Sequence, residues 1–353
     1  MDRMQGGQGP EESVRSAIVL TAAVIAVTGD EPRVLAVRSP EPVPGTAPGD
    51  LSAPYRDALP SGPFDPPHHR TLESGLRRQV EEQTGLSLRY VEQLYTFGNR
   101  YRDPVELRGG PRVVAVGYLA LVREAPPADG VRAGWRTWYD YLPWEDWRSG
   151  RPELIDRVIR PALGRWAAAA TDPVQRDYRS GRADALFRPP DVAWDFEMAL
   201  ERYELLYEAG LAVEAQRDRA AILAAGADPG MLPGDGAPPR ALGIPMALDH
   251  RRVLAAALGR LRGKLKYRPL VFELLPENFT LFRLQQVVEA LSGHGLHKQN
   301  FRRLVIGDGL VEPTGKFESR TGGRPAELYR FRRAVLHERP SSRTSRAAET
   351  PAG

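Results

Sequence analysis

Cysteine is absent from the 353 residues. That excludes disulfides and every thiolate metal site, and leaves carboxylates and six histidines as possible metal ligands. No stretch approaches the roughly 18–20 consecutive apolar residues that a membrane span needs. The opening MDRMQGGQGPEESVR has neither the apolar core nor the cleavage site of a secretion signal. A cytoplasmic protein without a membrane partner is expected. Net charge is also low, +4 overall, but it is unevenly spread. From Arg251 to Arg333, 17 Lys and Arg face seven Asp and Glu, a balance of +10; the tail after it adds +1, so residues 1–250 carry −7. A basic region joined to an acidic one suggests that the first meets a polyanion and the second does something else. A solvated basic face is the alternative.

The apolar stretch Ser16–Gly29, SAIVLTAAVIAVTG, is β-branched and continuous, and RVLAVRS (Arg33–Ser39) follows a short turn. These read as two buried strands. Pro40–Pro67 is dense in Pro and Gly and reads as a long loop with no regular element. Thr71–Thr84 is helical: Thr71 can cap, Leu72, Leu76 and Val80 recur at i, i+4, i+8, and Gly85 stops it. Tyr90–Gly98 and Arg112–Val122 read as two further strands. Strand, strand, loop, helix, strand, strand implies a mixed α/β (α+β) sandwich over 16–143. After it the texture turns to Ala, Arg and Leu, and Glu153–Ala170, with a kink at Pro161, and Phe196–Gly226 have helical spacing. Residues 144–245 are expected to be a helical insertion closed by a Pro/Gly linker, Ala227–Arg240. A connecting amphipathic helix, 246–265, follows with Val253, Ala256, Ala257 and Leu261 on one side, a stripe suited to a dimer interface. Residues 334–353 are polar and expected to be disordered.

Residues 266–333 are short and definite in pattern. PLVFELLP reads as a helix ended by Pro276, Thr280 caps a second, and a Gly-bearing turn leads into a third, HKQNFRRLVIGDG. Two strand-like pieces, Leu310–Pro313 and Ala326–Phe331, surround a Gly-rich tip. This is a winged helix-turn-helix. Phe301, Leu304 and Val305 can face its core, leaving His297, Lys298, Gln299, Asn300, Arg302 and Arg303 to meet DNA. Arg and Gln read base edges, whereas Lys298 and the wing residues Lys316, Arg320 and Arg324 neutralise phosphates. Winged helices also serve as dimerisation or docking modules.

Arg77–Leu86, RRQVEEQTGL, resembles the metal-binding helix of Nudix hydrolases, R-E-U-x-E-E-x-G-U with U aliphatic. Aligned on Gly85 and Leu86, it places Gln79 and Gln83 where that helix has carboxylates. An amide offers a carbonyl oxygen but no charge, so Glu82 is the one ligand in register, with Glu81 about 100° round the helix. Hydrolysis needs two or more carboxylates to hold Mg²⁺ against a pyrophosphate. No catalytic residue and no resident metal are therefore expected. His68 and His69 are neighbours in a Pro-rich loop without a third ligand and read as solvated. Four of six tryptophans fall between Trp135 and Trp147; packing is expected of them, with adenine stacking the alternative.

Together with LAAALGRLRGKLKYRPLVFELLPENFTL and NFRRLVIGDGLVEPTG, this box resembles the Nudix-related transcriptional regulators of NAD metabolism (NrtR-like). RRQVEEQTGLSLRYVEQLYTFG and WYDYLPWEDW look most like their alphaproteobacterial, NadQ-type branch. The resemblance covers Ser16–Pro143 and Met246–Arg333; the shorter regulators have no counterpart of Trp144–Gly243. It implies a repressor of NAD biosynthesis or salvage genes, a homodimer on double-stranded operator DNA, that needs no cofactor and senses NAD, ADP-ribose or a related adenine nucleotide. Arg38, Phe64, Arg78, Gln79, Glu82 and Gln83 are the candidate effector contacts, Arg78 having a structural ion pair with Glu82 as its alternative. A metal-dependent Nudix hydrolase with an accessory DNA-binding domain, and a protein-docking scaffold, are the competing readings.

Overall fold

The computed structural model describes residues 16–40, 55–228, 230, 232, 234–265, 270–318 and 325–332. Its centre is β1 (Ser16–Thr28), which pairs antiparallel with β2 (Glu31–Pro40) and parallel with β6 (Arg112–Leu121). With β3 (Tyr55–Ala58), β4 (Ser61–Pro63), β5 (Tyr90–Phe97) and β7 (Ala133–Thr137) the sheet has seven strands in the order β3-β2-β1-β6-β5, with β4 on β1 and β7 on β2. The uninterrupted burial of β1 from Leu20 to Val27 has a direct cause: both faces of the sheet are covered. Leu20, Ala22, Val24 and Ala26 meet Leu76 and Val80 of α1 (Leu72–Thr84), while Ala23, Ile25 and Val27 enter a larger core on the other face.

β3 and β4 correct the expectation of a featureless Pro40–Pro67 loop; residues 41–54 lie outside the described residues. These strands of four and three residues are too short for a period to show; the Pro60 carbonyl accepts the Ala22 N–H and the Pro63 carbonyl accepts from the Gln79 side chain, so neither proline needs an N–H there. The five-residue β7 escapes the sequence for the same reason.

The helical insertion begins with a π-turn, Ile155–Ile159, and α2 (Arg160–Ala168). The helical run is continuous from 153 to 168, so Pro161 lies inside a longer helix, and the π-turn directly ahead of it is the irregularity expected there. α3 (Pro173–Leu186), α4 (Ala199–Glu208) and α5 (Val213–Ala224) follow. The expected single helix over 196–226 is broken at Gly210, whose φ of +72° and close approach to the backbone of Gly234 and Gly236 admit no side chain. The described residues of Ala227–Arg240 contain no α-helix or strand.

α6 (His250–Leu265) lies at the middle of the molecule. Val253, Ala256, Ala257 and Leu261 are at most 2% exposed, and Leu254, Ala255 and Leu258 are equally covered. This corrects the expected one-sided stripe: its apolar surface is spent within the chain and is not available to a second copy. One continuous core runs from the sheet through Trp138 and Trp144, α4, α5 and α6 to α7 (Leu281–Ser292) and α8 (Lys298–Gly307). Trp138 and Trp144 are fully buried, so these two rings pack the junction. The first helix expected in PLVFELLP is a single 3-10 turn, Leu270–Leu274, with Pro276 following. Thr280 caps α7 by accepting the Arg283 N–H at 3.1 Å, and β8 (Val311–Glu318) pairs with β9 (Ala326–Phe331) as the wing.

Candidate functional site

α8 turns Phe301 and Val305 inward. His297, Lys298, Gln299, Arg302 and Arg303 are exposed, Asn300 is half-buried, and Asn300 Oδ1 accepts from Arg303 Nη2 at 2.8 Å. From Lys298 to Gly307 the helix has no acidic residue. Lys316 is exposed on β8, just past Gly315 (φ +71°), where the register with β9 shifts and the strand is re-aimed. Arg320 and Arg324 lie outside the described residues. A cationic, amide-bearing helix face beside a strand that presents Lys316 can follow a phosphate backbone and reach base edges. Ile306 shares that face and passed unnoticed in the sequence because an isoleucine near a helix end reads as core.

The box is arranged differently from its sequence expectation. Thr71 and Ser74 form a reciprocal capping box, Thr71 Oγ1 accepting the Ser74 N–H at 3.0 Å and Ser74 Oγ the Thr71 N–H at 2.9 Å, and Gly85 closes α1 in the left-handed region. Arg78 Nε donates to Glu82 Oε1 at 2.7 Å with both side chains exposed. That hydrogen bond, and then the charge of Glu82, raise the arginine's pKa. The two amides face the preceding chain: Gln79 Nε2 donates to Pro63 O at 2.5 Å, Gln83 Nε2 to Ser61 O at 2.7 Å, and Gln83 Oε1 accepts the Ser61 N–H at 3.2 Å. Both therefore hold β4 on α1. Phe64 is half-buried against the core beneath α1. Arg38 is half-exposed and reaches Asp57 at 3.7 Å, as does Arg136; Asp57 also accepts the Tyr141 hydroxyl at 2.7 Å. The six candidate effector residues thus share no common partner. Arg136, Asp57 and Tyr141, absent from the sequence reading, gather around Arg38 through strand pairing that no local motif encodes. His68 pairs with Asp65 at 2.7 Å and His69 Nδ1 accepts the Asp65 N–H, so each is occupied locally. Among the described residues no group of three His, Asp or Glu is placed to hold a metal ion, and no helix is long and apolar enough to cross a membrane.

A carboxylate in place of either glutamine could not donate to the β4 carbonyls. Gln79→Glu and Gln83→Glu are each expected to cost about 1–3 kcal/mol, the penalty for leaving a buried acceptor unpaired. A urea midpoint equal to that of the wild type would show that the amides do not hold β4.

The sheet and the winged helix are joined by backbone and charge. Leu59 N donates to His250 Nδ1 at 3.0 Å and Ala247 N to Asp57 O at 2.9 Å, tying the start of α6 to β3. At the other end Glu145, fully buried, accepts from Arg202 of α4 at 2.6 and 3.0 Å and from Arg262 of α6, and Arg262 also donates to Leu291 O at the end of α7. Burial alone would raise the Glu145 pKa; the charges of Arg202 and Arg262 outweigh it and hold the carboxyl below its ordinary value.

Comparison with known proteins places both ends of the molecule. The family described as NrtR DNA-binding winged helix domain matches residues 271–331. The ADPR responsive transcriptional repressor NtrR of Acinetobacter baylyi is 44% identical over 92 residues, which are 26% of this chain and only 36% of that protein. The crystal structure of Shewanella oneidensis NrtR complexed with a 27mer DNA superposes with a TM-score of 0.51 at 20% identity, covering 91% of this chain and 95% of that one. A MutT/nudix family protein from Enterococcus faecalis gives 0.50 at 17% identity, over 90% and 88% of the two chains. At these identities the structures establish the fold. The chain therefore joins a mixed α/β domain of Nudix-like fold to a C-terminal winged helix fold, of which residues 271–331 match the family described as NrtR DNA-binding winged helix domain.

Proposed function

We propose that the chain is a nucleotide-responsive transcriptional repressor. Its winged helix binds operator DNA as a homodimer, and its Nudix-like domain senses ADP-ribose, NAD or a related adenine nucleotide without hydrolysing it. Genes of NAD biosynthesis or salvage are the targets in this reading. The observation that carries it is the accessible, acid-free face of α8 inside the matched winged helix domain. The Acinetobacter relative, an ADPR responsive repressor, supports the effector class. Against turnover stands the engagement of Gln79 and Gln83 with β4, which leaves Glu82 alone in register. A homodimer follows from size, because one recognition helix and one wing bury too little surface to select an operator in a genome.

The test joins both halves of the protein. A duplex is selected by the protein from a random library, and its binding is titrated with and without ADP-ribose and NAD in Mg²⁺. One of the two nucleotides is expected to raise the melting temperature and change the affinity for the duplex while AMP release stays at the level of a protein-free control. Failure to enrich any duplex, or metal-dependent AMP release, sinks the proposal.

A further inference from the structure

Ile306 is 49% exposed at the middle of a face that is otherwise made of cations and an amide. At about 100° per residue it lies within about 20° of Gln299, with Arg302 about 40° to one side and Arg303 about 60° to the other. The buried residues Phe301 and Val305 lie about 140° and about 100° round the helix from it. The side chain at the centre of a helix face goes deepest into a groove, whereas its flanks pass nearest the phosphates. Only the major groove offers an apolar group at that depth, the 5-methyl of thymine. We propose that Ile306 is a specificity-determining residue that reads a thymine methyl in the operator half-site. This rests on the reading of α8 as a recognition helix.

The spacing constrains the sequence read. Gln299 and Ile306 are seven residues apart on nearly one line, about 10.5 Å along the axis, or about three base pairs of duplex rise at 3.4 Å each. Gln299 therefore meets its base pair, adenine being the one an amide reads with two hydrogen bonds, about three steps from the thymine that Ile306 contacts. No acidic residue on α8 competes with the DNA for the flanking arginines, and the described residues leave about half of the isoleucine exposed.

The test uses the full chain and the duplex enriched from a random library; if none is enriched, the operator-binding reading fails before this inference is reached. Each thymine of that duplex is replaced in turn by deoxyuridine, which deletes one methyl and keeps base pairing. In the wild type one position per half-site is expected to weaken binding by about fourfold, the value of one buried methyl-sized group. Ile306→Ala should bind the thymine duplex about as weakly as the wild type binds the uracil one, and should not distinguish the two. Its exposed position leaves the fold intact, which an unchanged melting temperature confirms. Uniform tolerance of deoxyuridine by the wild type overturns the inference, as does an Ile306→Ala variant with unaltered methyl dependence. A lower oligomeric mass of Ile306→Ala in light scattering without DNA also overturns it, since that places the side chain between copies of the chain.

Discussion

Glu145→Ala is expected to lower the unfolding free energy by about 3–5 kcal/mol, the cost of removing one partner from a buried ion pair. Glu145, Arg202 and Arg262 are 0%, 1% and 3% exposed, so the substitution leaves two guanidinium groups facing each other without water or a counter-charge. Their remaining hydrogen bonds, Arg202 to Asp195 O and Arg262 to Leu291 O, Phe196 O, the backbone carbonyl of residue 145 and the Tyr139 hydroxyl, satisfy donors but not charge. The effect should reach α7, because Arg262 and the Tyr139 hydroxyl, which donates to Ala290 O at 2.9 Å, hold the end of that helix. The contrast is Glu153→Ala, which breaks an ion pair about three-quarters exposed at both ends; its cost should be about 0–1 kcal/mol. Urea unfolding at constant m-value reads both. Equal midpoint shifts for the two variants would mean that the triad is not the junction described here. Replacing all three residues by methionine removes the charges together and should recover much of the loss, since a buried pair exchanged for apolar groups of like volume is often neutral.

The triad also marks where the sequence stops being informative. Each member looks like an ordinary surface charge in a helical or Trp-rich stretch, and the three come together across 57 and 117 residues of chain. Signals that act within one turn were legible: Thr71, the i, i+4, i+8 apolar positions and Gly85 place α1 to within a residue, and the continuous β1 is buried on both faces as its composition requires. The winged helix was legible for the same reason, its caps, Gly turns and apolar positions being local, although Leu270–Leu274 forms only one 3-10 turn. α3 has an N-cap Asp172 followed by Pro173, a clear start signal, yet none of its residues is buried and no apolar period betrays it. At the box the loss of charge could be read from residue types alone. What the amides do instead could not, because their partners Ser61 and Pro63 come from a three-residue strand hidden in a Pro-rich run. α6 misled most: an apolar stripe states that a helix face is covered, not whether the cover is a second chain or the rest of this one.

Acidification between pH 7.5 and 5 is expected to destabilise the protein by about 2 kcal/mol through His250 alone. Its ring is buried against β3 and accepts the Leu59 N–H through Nδ1, which requires the neutral form. Burial pushes its pKa down to about 4, opposed by the charge of Asp249 and assisted by Arg102 and Arg217. Arg102 pairs with Asp249, Nε donating to Oδ2 at 3.1 Å, which sets a positive charge against that carboxylate. The sign follows from proton uptake. Unfolded, the imidazole titrates near its ordinary value of about 6.5. Between that value and about 4 the unfolded chain holds the extra proton, so the stability conferred by neutral His250 is complete above the unfolded pKa and drains away as pH falls. Asp140 and Asp218, whose pKa values burial raises, titrate with the opposite sign. The quantity to measure is therefore the difference between wild type and His250→Gln in urea unfolding at each pH. The glutamine carbonyl can still accept from Leu59 but carries no titrating proton, so the variant's stability should be flatter across the window by about 2 kcal/mol. Parallel pH profiles for the two proteins would mean that the ring is protonated or solvated in the folded state. The tie between the start of α6 and β3 would then not rest on a neutral His250.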